Sequence, residues 1–304
     1  MVGMTRPSSV IPSQAAGRTL PTILLGAAMA GWGTIGYFTL QASASPITIA
    51  AWRCVFAVAA LLVLAKASGS LAASRFTARA VALTLLGGFA LVANWVLLFT
   101  AFKSTTLTIA TVTYHMEPFF LVALSAIATR RAPDVRSLCW LTAAMIGLLF
   151  TTEFVSAAGV TSVGGRWDGV AAALAAGGLY AVATFAATRT EGIHPQVMTL
   201  MQCALGAVIL LPFADRLDWS GTSWMWIATL GLFHTGVLYW VLYATVRQLS
   251  VVAIAALSFI NPAVAVLTDI WVYNHPLSTG QIAGIAIIGA ATVAVTRRAN
   301  RPTD

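Results

Sequence analysis

Ten apolar runs of about twenty residues each follow one another between Leu20 and Thr296, with only short polar connectors between them. In lipid every backbone N–H and C=O needs a partner within the protein, so a spanning segment is a helix or part of a closed barrel. A helix crosses the ~30 Å hydrocarbon core in roughly 20 residues, a strand in about half as many. Runs of this length therefore predict helices. Charged residues are only 9% of the chain, against roughly 25% in soluble domains. The reading is an all-α integral membrane protein with ten transmembrane helices. Its spans lie near 20–40, 46–64, 78–99, 105–128, 137–154, 168–188, 195–213, 223–246, 251–273 and 278–296. The first run is followed by the small residues Ala42, Ser43 and Ala44. It is too long for a signal-peptide core of roughly 7–15 residues and is kept as a span.

Two runs carry the same interruption. The stretch 111–120 reads TVTYHMEPFF and sets Tyr114, His115, Glu117 and Pro118 in mid-run; the stretch 255–263 reads AALSFINPA and sets Ser258, Asn261 and Pro262 there, with the prolines 144 positions apart. Proline offers no N–H to the carbonyl four residues back, so the carbonyls of Tyr114 and Ser258 lose their helical partners. Such groups persist in a membrane only against protein or a wet cavity. Pro118 and Pro262 are read as hinges. Tyr114 with Glu117, and Ser258 with Asn261, are three apart and are expected to share a helix face.

Other features return in the same order. Ser45–Cys54 lines up with His194–Cys203, setting Arg53 opposite Gln202; Lys103 falls opposite Arg247, Trp95 opposite Tyr239, and Gly31–Trp32 opposite Leu179–Tyr180. With five spans in each half, the second half enters the membrane from the other side. The expected organisation is a tail (1–19), a first five-helix repeat (20–154), a connector (155–167), a second, inverted five-helix repeat (168–297) and a tail (298–304).

Loop charges give the orientation. With the N-terminus inside, thirteen of the 17 Lys and Arg residues fall on the cytoplasmic side, and three (Lys103, Arg166, Arg216) fall outside; Arg53 lies within a span. By the positive-inside rule both termini are cytoplasmic and the 155–167 connector is periplasmic. The net charge of +8 thus reports orientation, and no nucleic-acid partner is expected. Cys54, Cys139 and Cys203 all fall in apolar runs without metal-ligand spacing. They are read as packing residues.

A charged group inside a membrane costs about 2.5–3.5 kcal/mol on insertion scales, so each calls for a reason. Glu117 is a candidate to bind a substrate ammonium or a proton, or else to hydrogen-bond a neighbouring helix. His115 faces either a cavity or a packing surface. Residues two apart on a helix diverge, so His115 and Glu117 do not make a metal pair. Arg53 is read as structural, pairing with a carbonyl or an acid or snorkelling to an interface, with a substrate carboxylate as the alternative. Asp269 shares a face with Asn261. Trp32, Trp95, Tyr180 and Tyr239 occupy matching mid-span positions and are expected to line a wide apolar cavity. Asn94 and His234 are mid-span polar candidates for the same cavity. Gly26, Ala30, Gly33 and Gly36, and Gly280, Gly284 and Gly289, read as close-packing seams. No catalytic residue, metal or cofactor is expected, and no phosphate-binding motif points to ATP.

Ten spans in two inverted halves, an arginine early in the second span and a proline midway through the fourth and ninth resemble the drug/metabolite transporter superfamily. More narrowly the chain resembles its EamA-type exporters, and among them the YddG-like amino-acid exporters. The resemblance implies efflux of small metabolites through a cavity formed by the first, third, fourth, sixth, eighth and ninth spans. Family members often carry a glutamate about thirteen residues after each proline, where this chain has Arg131 and His275. The expected function is export of amino acids, aromatic ones and other small amphipathic metabolites, across a bacterial inner membrane by alternating access, with protons as a candidate coupling ion. A broad multidrug or nucleotide-sugar-like carrier, or a membrane-embedded enzyme using His115 and Glu117, are the alternatives. The sequence assigns no oligomeric state.

Overall fold

The computed structural model describes residues 14–105, 107–154, 167–273 and 277–299. It forms ten helical spans in chain order. α1 is Gln14–Gly33 continued as Ile35–Gln41, α2 is Pro46–Ala67, α3 is Ala78–Ser104, α4 is Leu107–Tyr114 continued as Glu117–Thr129, and α5 is Val135–Thr151. α6 is Trp167–Arg189, α7 is Pro195–Leu210, α8 runs from Ser223 to Thr245, α9 is Val251–Ser258 continued as Ile260–Tyr273, and α10 is Thr279–Ala299. Among the described residues nine of these are long and apolar enough to cross a membrane, and α5 is a shorter apolar helix. The 155–166 connector, His275 and the outermost tails lie outside the described residues, as does the side chain of Asp269.

Local chemistry sets the helix starts. A helix leaves its first N–H groups unpaired, and a side-chain oxygen just before it satisfies one of them. Ser45, Thr77, Asp134 and Ser250 do this for α2, α3, α5 and α9. Pro46 and Pro195 open α2 and α7, where a missing N–H costs nothing. At α10, Ser278 Oγ accepts from Gln281 N at 3.2 Å while Ser278 N donates to Gln281 Oε1 at 3.1 Å, a reciprocal cap.

The main packing contacts follow a two-fold pattern. α2 packs on α7, α4 on α9 and α5 on α10, each against its own counterpart. Most of the larger further contacts come in matched pairs: α3 with α6 and α8 with α1, α4 with α6 and α9 with α1, α2 with α8 and α7 with α3; the packing of α9 on α10 and α5 is stronger than its counterpart in the first repeat. Two inverted repeats related by a two-fold axis in the membrane plane produce this pattern. Glycines permit the closest crossings. A Cβ at Gly147 would lie 2.8 Å from Gly284 O where α5 meets α10, and one at Gly33 would lie 2.8 Å from Asn261 O. The small-residue seams are narrower than the sequence suggests: Gly36 and Gly289 have no neighbour within 4 Å of an added Cβ.

The connectors gather at two ends. At one, Arg75 N donates to Gly192 O at 2.8 Å, Arg247 Nη1 donates to Thr190 O at 2.9 Å, and Arg298 meets Asp134 at 3.4 Å. Gly192 has φ +84°, a left-handed conformation that glycine adopts without strain. At the other, Asp215 Oδ2 accepts from Thr48 Oγ1 at 2.9 Å and from Ser45 Oγ at 3.0 Å. These hydroxyls, Thr48 foremost, hold the Asp215 carboxyl below the usual carboxylate range. The basic connectors thus share one end, as alternating spans require.

Candidate functional site

The interruptions of α4 and α9 face each other at the centre. In α4 the ladder breaks at His115–Met116: Met116 N reaches Thr113 O, and Phe119 N and Phe120 N both turn to Met116 O. In α9 it breaks at Phe259, whose backbone (φ −69°, ψ −11°) matches that of Met116 (φ −69°, ψ −12°). The same proline-driven break therefore occurs in both repeats. Gly177 of α6 closes on the freed carbonyl: its added Cβ would lie 2.6 Å from Tyr114 O. Gly33 of α1 packs on α9 one turn further along, its added Cβ 2.8 Å from Asn261 O.

The break re-aims the neighbouring side chains. Glu117, 4% exposed by its accessible surface, meets Ser258 across the repeat boundary. The Ser258 hydroxyl itself donates to Ala255 O at 2.9 Å. Tyr114 instead turns to α3 and α6: its hydroxyl hydrogen-bonds Asn94, and its ring centroid lies 6.2 Å from that of Tyr180. The shared face expected for Tyr114 and Glu117 assumed an unbroken helix, and the turn between them divides their partners. Asn94 also donates to Ala176 O at 2.7 Å, joining α3 to α6. His115 bonds its own turn through Nδ1 to Thr111 O at 2.8 Å and tilts against Phe259 at 6.2 Å. Asn261 is half-buried beside Gly33. Pro118 and Pro262 are buried.

Trp32, Trp95 and Tyr239 come together. Trp32 and Tyr239 stand edge-on at 4.8 Å, and Trp95 and Tyr239 at 6.3 Å. In this conformation they form a packed cluster in the largest of the apolar cores among the described residues. Tyr180 packs against its edge. Trp32 Nε1 donates to His234 O at 2.9 Å, and His234 Nε2 lies 3.0 Å from Thr34 Oγ1, at the turn that divides α1. His234 belongs to the wider π-helical turn Leu230–Val237 of α8. Such turns recur at functional sites because they redirect one side chain without ending the helix.

Arg53 reaches into the same cluster. It is 5% exposed, its guanidinium carbon lies 4.0 Å from the centroid of the Trp95 ring, and Nε and Nη2 have no hydrogen-bond partner. It does not snorkel to an interface, and no ion pair is recorded for it among the described residues. Its counterpart Gln202 is fully used: Nε2 donates to Thr84 O at 3.2 Å, and Oε1 accepts from the Tyr243 hydroxyl. Gln202, Thr84, Tyr243 and the α1 partner Thr34 escaped the sequence reading; the alignment of Gln202 with Arg53 was the available signal. Cys54 and Cys203 are buried and meet where α2 and α7 cross. Cys139 is exposed. At the basic end an open cleft lined by Val122, Ser125, Thr129, Arg131 and Val251 lies between α4 and α9.

The model of the EamA-like transporter family matches residues 19–153 and again 167–297, the two halves found in the packing. The chain is 29% identical over 262 residues to an uncharacterised transporter of Bacillus subtilis named YxxF, covering 85% of this chain and 84% of that protein. It is 26% identical over 216 residues to an uncharacterised transporter of Archaeoglobus fulgidus, covering 69% of this chain and 75% of that protein. A crystal structure with 19% identity superposes with a TM-score of 0.80 over 93% of this chain and 98% of the other, a likeness of fold. Two matched halves, two inverted five-helix repeats and two facing helix breaks agree, and the chain belongs to the EamA-like transporter family.

Proposed function

We propose that this transporter exports amino acids, aromatic ones and other small amphipathic metabolites, across a bacterial inner membrane with both termini in the cytoplasm. The observation that carries the reading is the central crossing. Two interrupted helices meet at their breaks, a buried carboxyl from one repeat touches a hydroxyl from the other, and aromatic rings stand beside them. A buried acid among rings suits a ligand with an ammonium and an apolar body. In a two-repeat transporter the halves rock about such a site, exposing it to each side in turn.

Protons are the proposed coupling ion. The Ser258 hydrogen is committed to Ala255 O, so Glu117 completes its contact with Ser258 as the donor when it carries a proton. Loss of that proton breaks a contact between the repeats, and the same event frees a carboxylate for an ammonium.

The test is efflux from proteoliposomes loaded with a panel of amino acids, with and without a pH gradient. Efflux of aromatic or branched amino acids that rises with an opposing proton gradient is expected. Retention of every amino acid, beside efflux of cationic drugs, would replace this reading with the multidrug one.

A further inference from the structure

We propose that Arg53 is the carboxylate-binding residue of the transport site, deepening the proposed function by assigning the second end of a zwitterionic substrate. The two atoms without partners, Nε and Nη2, lie on one edge of the guanidinium. Their N–H bonds run parallel, the donor fork that matches the two oxygens of a carboxylate. A buried arginine with one whole edge unused is costly unless something binds there. Trp95 takes the face of the cation at 4.0 Å and leaves the edge free. Burial removes competing water, so a carboxylate reaching this edge would form strong, charge-assisted bonds.

The second repeat supplies an internal comparison. Gln202 stands opposite Arg53, and Gly87 and Gly231 stand opposite each other. Each glycine admits the facing helix closely: an added Cβ at Gly87 would lie 2.9 Å from Gln202 Nε2, and one at Gly231 would lie 2.6 Å from Arg53 O. The two positions are aligned and each packs beside the matching glycine, yet Gln202 has both ends of its amide bonded to α3 and α8. A residue holding helices together at this position would resemble Gln202. Arg53 instead keeps two donors unspent, within electrostatic reach of Tyr114 and Tyr239. Tyr114 connects it to the Glu117 side of the site, because it also lies within electrostatic reach of Glu117. Arg53 and Glu117 then take the opposite ends of an amino acid as the rings between them separate.

The experiment measures binding of phenylalanine and leucine, each beside its amide, to the purified protein. The amide keeps the ammonium and the apolar body and removes the carboxylate. The wild type is expected to prefer each acid over its amide by on the order of 10- to 100-fold, the worth of a charge-assisted pair of bonds. Arg53→Gln should abolish that preference, so that each acid and its amide bind equally. Arg53→Lys, which keeps the charge without the fork, should retain part of the preference and provides the test if the glutamine variant fails to fold. Equal wild-type binding of acids and amides, or a preference undiminished in both variants, would overturn the assignment while leaving transport of amino acids standing. Failure of the wild type to bind any of the four ligands would overturn both readings together.

Discussion

Replacing Gly177 by alanine probes the closest approach at the α4 break. An added Cβ there falls 2.6 Å from Tyr114 O, whereas one at the adjacent Gly178 meets only Phe120 Cδ2, at 3.9 Å. Carbon–oxygen contacts settle near 3.3 Å, so α6 has to withdraw from α4 by about 0.7 Å. Rotation cannot relieve the clash, because the backbone fixes both the Cβ and the carbonyl. Each substitution gains the same helix propensity, about 1 kcal/mol. The difference between the two variants therefore isolates the steric cost, about 1–3 kcal/mol for overpacking of this kind. Thermal unfolding of the purified protein in detergent reads it out, at about 2–4 °C per kcal/mol for a chain approaching this length. Gly177→Ala should melt several degrees below Gly178→Ala. On α1, Gly33→Ala should likewise melt below Gly36→Ala, since an added Cβ is crowded at Gly33 and meets nothing within 4 Å at Gly36. Equal melting points within each pair would refute the claim that these glycines admit a helix against the facing break.

Three further outcomes follow from the site and the termini. Glu117→Gln keeps shape and a donor toward Ser258 but cannot release a proton; it should abolish the response to a pH gradient and severely impair amino-acid efflux, while Asn261→Ala impairs it moderately. Wild-type efflux by Glu117→Gln across the working pH range would make Glu117 a structural group. A cysteine introduced into the 155–167 connector should react with an impermeant reagent from outside intact cells, and labelling only after permeabilisation would invert the proposed topology. The carboxyl of Asp215 has a lowered pKa, so its contribution to stability is complete above its ordinary value of 3.8 and is lost as pH falls through the lowered one. Asp215→Asn should therefore flatten the acid side of the melting-temperature profile below about pH 4, and an unchanged profile would remove the role given to its bonds with Thr48 and Ser45.

Hydropathy located the apolar helices because burial in lipid makes apolar length decisive, whereas the caps that set their ends, such as Ser45 and Asp134, went unread in the sequence. The paired prolines located the breaks because a missing N–H acts the same way in any helix. Side-chain direction was less legible. A helical wheel put Tyr114 and Glu117 together, but the two-residue turn between them sends one to Asn94 and the other to Ser258. The inward placement of His234 depends on the π-helical turn of α8, which leaves no period in so short a segment. Arg53 was read as a structural group because sequence cannot show whether a buried donor is spent. Only its free edge, beside the fully bonded Gln202, separates the two cases.

The scaffold is symmetric, but its charges are not. Among the described residues the buried carboxyl of Glu117 and the buried guanidinium of Arg53 both belong to the first repeat, and the residues aligned with them in the second are the amides Asn261 and Gln202. An exact duplicate of either charge would set two like groups near the two-fold axis, where low dielectric magnifies their repulsion. An amide keeps the volume and the hydrogen bonds without that cost. Gln202 uses them to join α3, α7 and α8. The second repeat also contributes Ser258 and Tyr239, neutral groups set against Glu117 and Arg53 respectively. A chemically asymmetric substrate thus meets unlike partners on a two-fold frame: one repeat offers charge of each sign, and the other offers the dipoles and ring surfaces that separate them. Because the breaks in α4 and α9 remain equivalent, the two halves can still exchange conformations as the site opens to either side.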